Sequence, residues 1–532
     1  MPEEHRRGLL AVVAPALGTS VVLSAAFLLA PAMGTDLAAQ QARADFFDRY
    51  GWAPVDFGWY GGVAQFGYSL LTAPLGALIG MRVLGAAAAV VAAVAFAWLL
   101  WRTAVRRPVL GAVLGALVFA ANLASGRITF AVGLALALLA LCAAAPDPAR
   151  PARAGRVAAV LLLGAFATWA SPVAGLFAGL VGAALLLTGP ARAGFRSWRP
   201  EGRWPLALSL CVGPVVALAP MALLFGNGGR QPFTAESLRI HIALAVLVVL
   251  VAPPRYPAVR LAGALTVVLL LGAFYLPSPI GSNALRLPML FTVPVLAAVV
   301  ELSRARLALL LVAVWWWQPF LVTSDPGRAG SPESRPGFHR SLVRELSSRA
   351  PGRVEVVPLR DHWESVYVAA QVPLARGWER QVDTDRNALF YRDALTPQEY
   401  VAWLRANAVS YVAIAPGAVP DRYARTESAL VRQGLPELRP VWQDDTWQLF
   451  EVTGAQPLVS APAQLVRSDR GGVTMRAPAG GDVLVRVRWS RWLTVREPGA
   501  CLASGPDGWT TLRVTTPGDY RLTSSLRPGP TC

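Results

Sequence analysis

Nine charge-poor apolar blocks fill most of the first 323 residues, and a segment of that kind has few folds open to it. Away from water its backbone polar groups must bond to one another, which a helix achieves alone. The blocks are Gly8 to Pro31, Val83 to Trp101, Pro108 to Ala145, Val157 to Leu187, Trp204 to Phe225, Ile240 to Ala252, Leu261 to Leu276, Leu287 to Val300 and Leu307 to Val322. About 20 apolar residues carry a helix across a bilayer, and two of the blocks are far longer. Ser125, Gly126 and Arg127 interrupt one, Ser171 and Pro172 the other, so each reads as a hairpin of two helices. The expected fold is a polytopic α-helical membrane protein of about eleven transmembrane helices.

Charge supports that threading. Arg102, Arg106 and Arg107, then Arg150, Arg153 and Arg156, then Arg192, Arg196, Arg199 and Arg203, then Arg255 and Arg260, then Arg304 and Arg306 fall on one side only if both long blocks are hairpins. Arginines flanking spans are normally kept in the cytoplasm. Arg6 and Arg7 before Gly8 imitate a signal peptide, but the apolar stretch is long and others follow, so it reads as span 1 with a cytoplasmic N-terminus. An odd number of spans sends the C-terminal region outside, at the plasma membrane of the cell.

With 54% apolar and 15% charged side chains, the chain is too apolar for an ordinary soluble enzyme. Residues 1–323 carry 23 Arg against 10 acids, residues 324–532 carry 26 against 22, and there is no Lys. The excess of Ala, Arg, Gly and Pro looks like codon bias, so the net charge of +17 does not argue for a nucleic-acid partner. The expected organisation is a transmembrane domain over 1–323, a linker over 324–337, an extracytoplasmic α/β domain over 338–456 and a β-sandwich-like domain over 457–532. The Trp315, Trp316, Trp317 run anchors the last span. In the tail, strand-like runs at Val354 to Val357, Val366 to Ala370 and Tyr411 to Ile414 alternate with helical patterns at Pro397 to Ala406 and Asp421 to Gln433. Short alternating strands follow at Val483 to Trp489, Leu493 to Arg496, Thr511 to Thr515 and Tyr520 to Ser524.

No phosphate loop, dinucleotide fingerprint or zinc motif is present, and His5, His241, His339 and His362 are scattered. Cys142 and Cys211 lie in apolar segments. Cys501 and Cys532 are free to pair if the tail meets an oxidising exterior. Four of the ten acids before residue 324, Asp36, Asp45, Asp48 and Asp56, share the loop after span 1, and carboxylates gathered at a membrane face are a functional signal. Trp52, Trp59, Tyr60, Phe66 and Tyr68 follow in the same loop. They predict short helices lying along the outer leaflet, in reach of a lipid-linked substrate.

Asp36, Arg43, Asp45, Asp48, Arg127, Arg230, Glu236, Arg239, Asn283 and Arg286 are all expected at the outer face. A carboxylate that takes a proton from a hydroxyl, with guanidinium groups that hold phosphate oxygens, suits transfer of a sugar from a lipid phosphate. The order of a basic start, one span, a loop reading GTDLAAQQARADFFDRYG, an aromatic stretch, many spans and an outer tail resembles the GT-C superfamily of polyprenyl-phosphate-dependent glycosyltransferases, in particular its large actinobacterial members. SGRITFAVGLAL, FGNGGRQPF and GSNALRL resemble segments of the same relatives. The resemblance implies an acidic base or metal ligand in the first outer loop, which falls on Asp36 or Asp45, Asp36 favoured because it follows span 1 directly. The spacing DxxxxxxxxDxxD departs from the tight DxD or ExD pair of many members, so no cofactor is assigned and a divalent cation is left open.

Each candidate also has a plainer explanation: a helix cap for Asp36, local ion pairing with Arg43, Asp48 and Arg49 for Asp45, snorkelling to headgroups for Arg127 and Arg286, and a loop cation for Arg230. Arg127, Arg230, Arg286 and Asn283 are the candidate phosphate-binding set. Trp378 with Arg376 and Arg380, and Trp489 with Trp492, suit sugar stacking or core packing, the latter favoured. The expected function is transfer of a sugar from a polyprenyl-phosphate donor to an envelope glycan or other outer acceptor, important for cell-wall biogenesis. The rivals are a transporter or flippase and a non-catalytic scaffold of envelope assembly.

Overall fold

The computed structural model describes residues 3–145, 153–188, 204–317, 325–527 and 529–532. Arg150, the Arg192 to Arg203 cluster, the end of the last apolar block and the first residue of the expected linker lie outside them. The chain divides into two compact units, one formed by 1–34, 68–224 and 230–329, the other by 35–67, 225–229 and 330–532.

The first unit is helical. Its elements are α1 (Glu3–Leu29), α3 (Thr72–Ile79), α4 (Met81–Arg102), α5 (Pro108–Ala124), α6 (Ile128–Ala144), α7 (Ala154–Ala170), α8 (Pro172–Thr188), α9 (Trp204–Phe225), α10 (Ala235–Val251), α11 (Pro257–Tyr275), α12 (Arg286–Val299) and α13 (Arg304–Trp317), while α2 (Leu37–Tyr50) belongs to the second unit. Among the described residues, five helical stretches are long and apolar enough to cross a membrane, namely α1, α4, α9, α11 and Gly281–Val299, and α5 to α8 are shorter apolar helices. The chain is a membrane protein, with large apolar side chains such as Val22 (67% exposed) and Trp316 (83%) left on its outer faces.

Both long blocks break where local chemistry demands. Ser125 caps α5, Gly126 takes φ +74°, and Arg127 precedes α6. Ser171 is extended because a residue before proline is pushed out of the helical region, and Pro172 then opens α8. The arginines between helices have a second use besides topology. Arg107 donates to the carbonyls of Val300 (2.7 Å) and Leu302 (2.5 Å), Arg156 to Ala143 (2.6 Å) and Arg260 to Val249 (2.9 Å), satisfying carbonyls that helix ends leave unbonded and, at Leu302, one in the connection from α12 to α13.

Small residues set the helix spacing. A Cβ on Gly133 of α6 would lie 2.8 Å from the Cβ atoms of Ser171 and Ala174, and one on Gly213 of α9 would run into the Leu161 carbonyl of α7. Such close backbone approach is how apolar helices associate in lipid.

The second unit contains a hairpin of β1 (Val55–Asp56) and β2 (Val63–Ala64), an α/β layer and a sandwich. In the layer β3 (Arg353–Val356) pairs parallel with β4 (Val409–Ile414), and β6 (Gln448–Val452) lies antiparallel between β4 and β5 (Leu438–Gln443). Around it run α14 (Pro336–Ser348), α15 (Glu364–Tyr367), α16 (Arg380–Arg386), α17 (Pro397–Ala406) and α18 (Arg425–Gln433). Thr396 and Glu399 form a full capping box on α17. The expected strand at Val366 to Ala370 is instead helix and turn. Val366 and Val368 are buried there, so their β-branched side chains are used for packing, and α15 packs against α2.

The sandwich sets one sheet of β10 (Leu493–Val495), β13 (Gly518–Ser524), β8 (Gly472–Ala477) and β7 (Gln464–Asp469) against another of β11 (Ala500–Ser504), β12 (Trp509–Val514) and β9 (Gly481–Arg488). Alternate residues Val483, Val485 and Val487 enter its core with Val473, Met475, Leu512 and Leu522. Cys501 and Cys532 form a disulfide. Trp489 and Trp492 pack against this core, Trp492 stacked on Phe225 at 4.9 Å.

Gly213→Ala is expected to cost about 1–3 kcal/mol, because the obstacle is backbone and cannot rotate away. Gly272→Ala on α11, where a Cβ meets nothing within 4 Å, is expected to be neutral or slightly stabilising. Thermal midpoints of the two variants in one detergent check this, and equal midpoints would remove the close α7–α9 contact.

Candidate functional site

The acidic loop after span 1 is a folded part of the second unit. Asp36 occupies the N-cap position of α2, half-buried, and its side chain makes no capping hydrogen bond to the helix. Its carbonyl accepts from the Gln40 side chain at 2.9 Å. Asp45, one turn short of the helix end, is exposed and accepts from Gln41 at 2.7 Å. Asp45 is exposed whereas Arg43, expected to pair with it locally, is turned to the buried side of the helix.

There Arg43 pairs with Glu379, both almost wholly buried, donates to Gln65 Oε1 at 3.3 Å and lies 5.7 Å over Trp59. The fourth loop acid, Asp56, is 0% exposed and faces Arg470, 4% exposed, whose Nε stands 3.1 and 3.2 Å from the two carboxylate oxygens. The same guanidinium donates to the Ala42 carbonyl of α2 at 2.9 Å and covers Phe46. Asp56 also accepts from Gly58 N at 2.8 Å. These two pairs fasten α2 and the following hairpin to elements more than 300 residues away in sequence.

The aromatic stretch does not lie along a leaflet as its composition suggests. Trp59, Tyr60 and Phe66 are buried. Trp59 Nε1 donates to Ser365 O at 3.2 Å, Tyr60 Oη donates to Gly377 O at 2.8 Å, and Arg386 donates to Gly62 O at 2.8 Å. Trp52 alone of these five aromatics is more than half exposed, at 54%. The rings are core, and the amphipathic signal that pointed to an interface came from polar tips that find partners in the tail.

Two further clusters carry chemistry that local sequence did not reveal. Arg376 donates from Nε to Glu355 at 2.8 Å and also pairs with Glu427, which accepts from Tyr400 Oη at 3.1 Å, all four buried. Burial and mutual repulsion raise the Glu355 carboxyl well above its ordinary value, against the pull of Arg376. Beside it, His362 stacks on Trp378 at 3.6 Å, with Nδ1 3.2 Å from Glu364 and Nε2 3.5 Å from Asp421. Arg380 holds Asp421 bidentately at 3.0 and 2.9 Å and lies 4.5 Å over Trp378. Burial alone would lower the His362 pKa, but Asp421 and Glu364 outweigh it and raise it. For Asp421, burial is overcome by His362 and Arg380, which push its pKa far down. Core packing is thus the role of Trp378 with Arg376 and Arg380, in a polar form.

The first unit gathers the phosphate candidates' loops. Gln231 N donates to Ser278 O at 3.1 Å and its side chain to Ser282 at 3.3 Å, so the turn carrying Arg230 packs on the turn that carries Asn283 and opens α12 at Arg286. The Arg286 guanidinium lies 5.1 Å over Phe130, three residues beyond Arg127. Arg127, Asn283 and Arg286 are half-buried, while Arg230, Glu236 and Arg239 are exposed. Inside the helices an apolar cavity of about 260 Å³ is lined among others by Phe96, Leu134, Phe177, Leu287 and Phe291. Among the described residues no group of three or more His, Cys, Asp or Glu is placed to hold a metal.

No protein-family model matches the chain. A stretch of 157 residues, 28% of this chain, is 31% identical to the bifunctional purine biosynthesis protein PurH of Chloroflexus aurantiacus and covers 30% of that protein. Among solved structures, arabinofuranosyltransferase AftD from Mycobacteria is similar at a TM-score of 0.43 with 18% identity, over 88% of this chain and 41% of that one. A mutant of that enzyme gives 0.44 and 14% identity over 96% and 60%. The Archaeoglobus fulgidus oligosaccharyltransferase, tethered with an acceptor peptide, gives 0.44 and 13% over 77% and 69%. All three structures are of GT-C glycosyltransferases. The likeness is loose at these scores, and the chain spans less than a third of the PurH protein and about two fifths of the first AftD chain.

Two outcomes are expected from the clusters. Asp56→Asn strands a buried guanidinium and is expected to destabilise the second unit by about 3–5 kcal/mol, with Asp56→Asn/Arg470→Met recovering part of the loss; thermal unfolding of the full chain in detergent checks it, and a double variant no better than the single would deny the pairing. Because the folded-state pKa of His362 is raised, its stabilising share is full below the unfolded value of 6.5 and is lost as pH climbs through the folded one. The gap in unfolding midpoint between wild type and His362→Gln should therefore narrow as pH rises above the unfolded value, and a gap that widens would reverse the assignment.

Proposed function

We propose that the protein is a membrane glycosyltransferase that moves a sugar from a polyprenyl-phosphate donor to an acceptor of the cell envelope at the outer leaflet. The observation that carries this reading is the construction of the loop after span 1. Asp36 heads a helix whose far side is locked by Arg43–Glu379 and Arg470–Asp56, the rigid backing that a catalytic carboxylate needs and a solvated loop acid does not. Asp36 is assigned as the base that takes the proton of the acceptor hydroxyl. Asp45, exposed and bonded within its own helix, is a weaker candidate.

On the donor side, Arg127, Arg286, Arg230 and Asn283 are assigned to the phosphate, whose departure needs neutralising charge more than a proton. Their turns pack together within the helical unit, and half-buried guanidinium groups interact more strongly with an anion than exposed ones. The apolar cavity suits part of a prenyl chain, since its lining is almost entirely hydrocarbon. Outward placement of the tail, in line with the positive-inside count and the Cys501–Cys532 disulfide, completes the proposal.

Asp36→Asn, reconstituted in liposomes with polyprenyl-phosphate sugars, is expected to lose about 10²–10⁴-fold in turnover, while Asp45→Asn stays within about threefold. Full turnover by Asp36→Asn would remove Asp36 from the mechanism. Uptake of sugar driven by a proton gradient, with no transfer product, would replace the transferase by a transporter.

A further inference from the structure

We propose that Trp378 is the positioning residue of Asp36, its indole N–H fixing the peptide from which the Asp36 side chain projects. This deepens the reading above and rests on it. Trp378 Nε1 donates to the carbonyl oxygen of Thr35 at 2.7 Å, across 343 residues of sequence. That oxygen belongs to the same rigid peptide plane as Asp36 N and Cα. Holding it sets the direction in which the Asp36 Cβ leaves the chain.

The first turn of α2 is held at two successive carbonyls. Trp378 takes that of Thr35 and the Gln40 side chain takes that of Asp36, while the carboxylate of Asp36 is not used to cap its own helix. A capping aspartate would be drawn back onto the helix amides. Here the backbone is placed by Trp378 and Gln40 in place of an aspartate cap.

The indole itself is fixed by what lies around it. His362 stacks on it with the rings 11° apart, and Arg380, clamped by Asp421, covers it. Tyr391 and Tyr423 flank the same guanidinium, and Glu364 holds the other side of the imidazole. His362 adopts φ +58°, a backbone conformation that a residue with a Cβ takes only when its surroundings enforce it. A polar cluster held under strain, whose outward polar contact ends on the residue before the proposed base, is more than is needed to bury one tryptophan. Indole is a donor only, so it can bind the carbonyl and cannot compete with the carboxylate for a proton.

The test is Trp378→Phe in the full chain in lipid nanodiscs, with Arg476→Gln, which breaks an exposed pair with Asp519, as the control. Phenylalanine keeps an aromatic face against His362 and removes the donor. Hydrogen exchange of the amides of Gln40 to Arg43, whose helical acceptors are the carbonyls of residues 36 to 39, is expected to speed up by about three- to tenfold, with β8 and β12 unchanged. Turnover of short-chain polyprenyl-phosphate pentoses and hexoses is expected to show a reduced kcat with an unaltered KM for the lipid donor. Unchanged exchange in the first turns of α2, or faster exchange spread evenly through the second unit, would overturn the proposal, as would a raised KM with kcat intact. If Asp36→Asn is itself fully active, the assignment of Asp36 as the base falls, while the exchange comparison still decides whether Trp378 sets the Thr35 peptide.

Discussion

The buried pairing of Asp56 with Arg470 is the constraint on which the second unit depends. It joins the end of β1 at residue 56 to a strand connection at residue 470, and the same guanidinium reaches back to the Ala42 carbonyl. Three segments thereby share one charge. A buried ion pair adds little net stability over a hydrocarbon core of the same volume, but losing one partner is severe. It acts as a specificity device, since residues 35–67 have few ways to satisfy Asp56 and Arg43 other than the one observed. A loop that looks like an extracytoplasmic connection is therefore an inserted piece of the C-terminal body.

That arrangement bears on chemistry. A carboxylate acting as a base must be held within a fraction of an ångström of its productive place, and a loop tethered only at its ends cannot do this. Here the helix after Asp36 is fixed at Arg43, at the Ala42 carbonyl and by eight buried residues along its inner face. The acids of the loop divide accordingly. Asp56 is consumed by structure, Asp45 faces water, and Asp36 stands where the rigid part begins.

What the sequence disclosed was whatever is encoded by neighbours in the chain. Ser125–Gly126 and Ser171–Pro172 end helices through their own backbone preferences, the pattern of Pro397 to Ala406 marks α17, and the alternation in Val483 to Trp489 marks a two-faced strand. Each of these reads from a window of a few residues and each is present in the fold. The α15 segment misleads because valine and tyrosine favour strands on average, whereas its burial against other helices decides the matter. Trp59 and Tyr60 mislead for a related reason: a ring with a polar tip suits a bilayer interface or a core with a waiting carbonyl, and the carbonyls here belong to Ser365 and Gly377. The candidate base was visible as a loop acid following a span, but its backing was not, because Glu379, Trp378 and Arg470 are identified only once the chain is folded.

The absence of lysine, which reads as a compositional accident, has a structural consequence. Several cations that bridge elements in this fold do so through more than one contact: Arg470 on a carboxylate and a carbonyl, Arg380 on both oxygens of Asp421, Arg376 on two glutamates, Arg107 on two carbonyls after α12. A lysine ammonium is a single strongly hydrated point and would meet these demands poorly, whereas the planar guanidinium offers five donors in fixed directions and is less costly to desolvate. A chain that must fasten remote segments by buried charge, beside a body that can use few charges at all, gains most from the cation that serves several acceptors at once. Codon bias can supply arginines anywhere; their placement at these junctions follows from the geometry of the acceptors they meet.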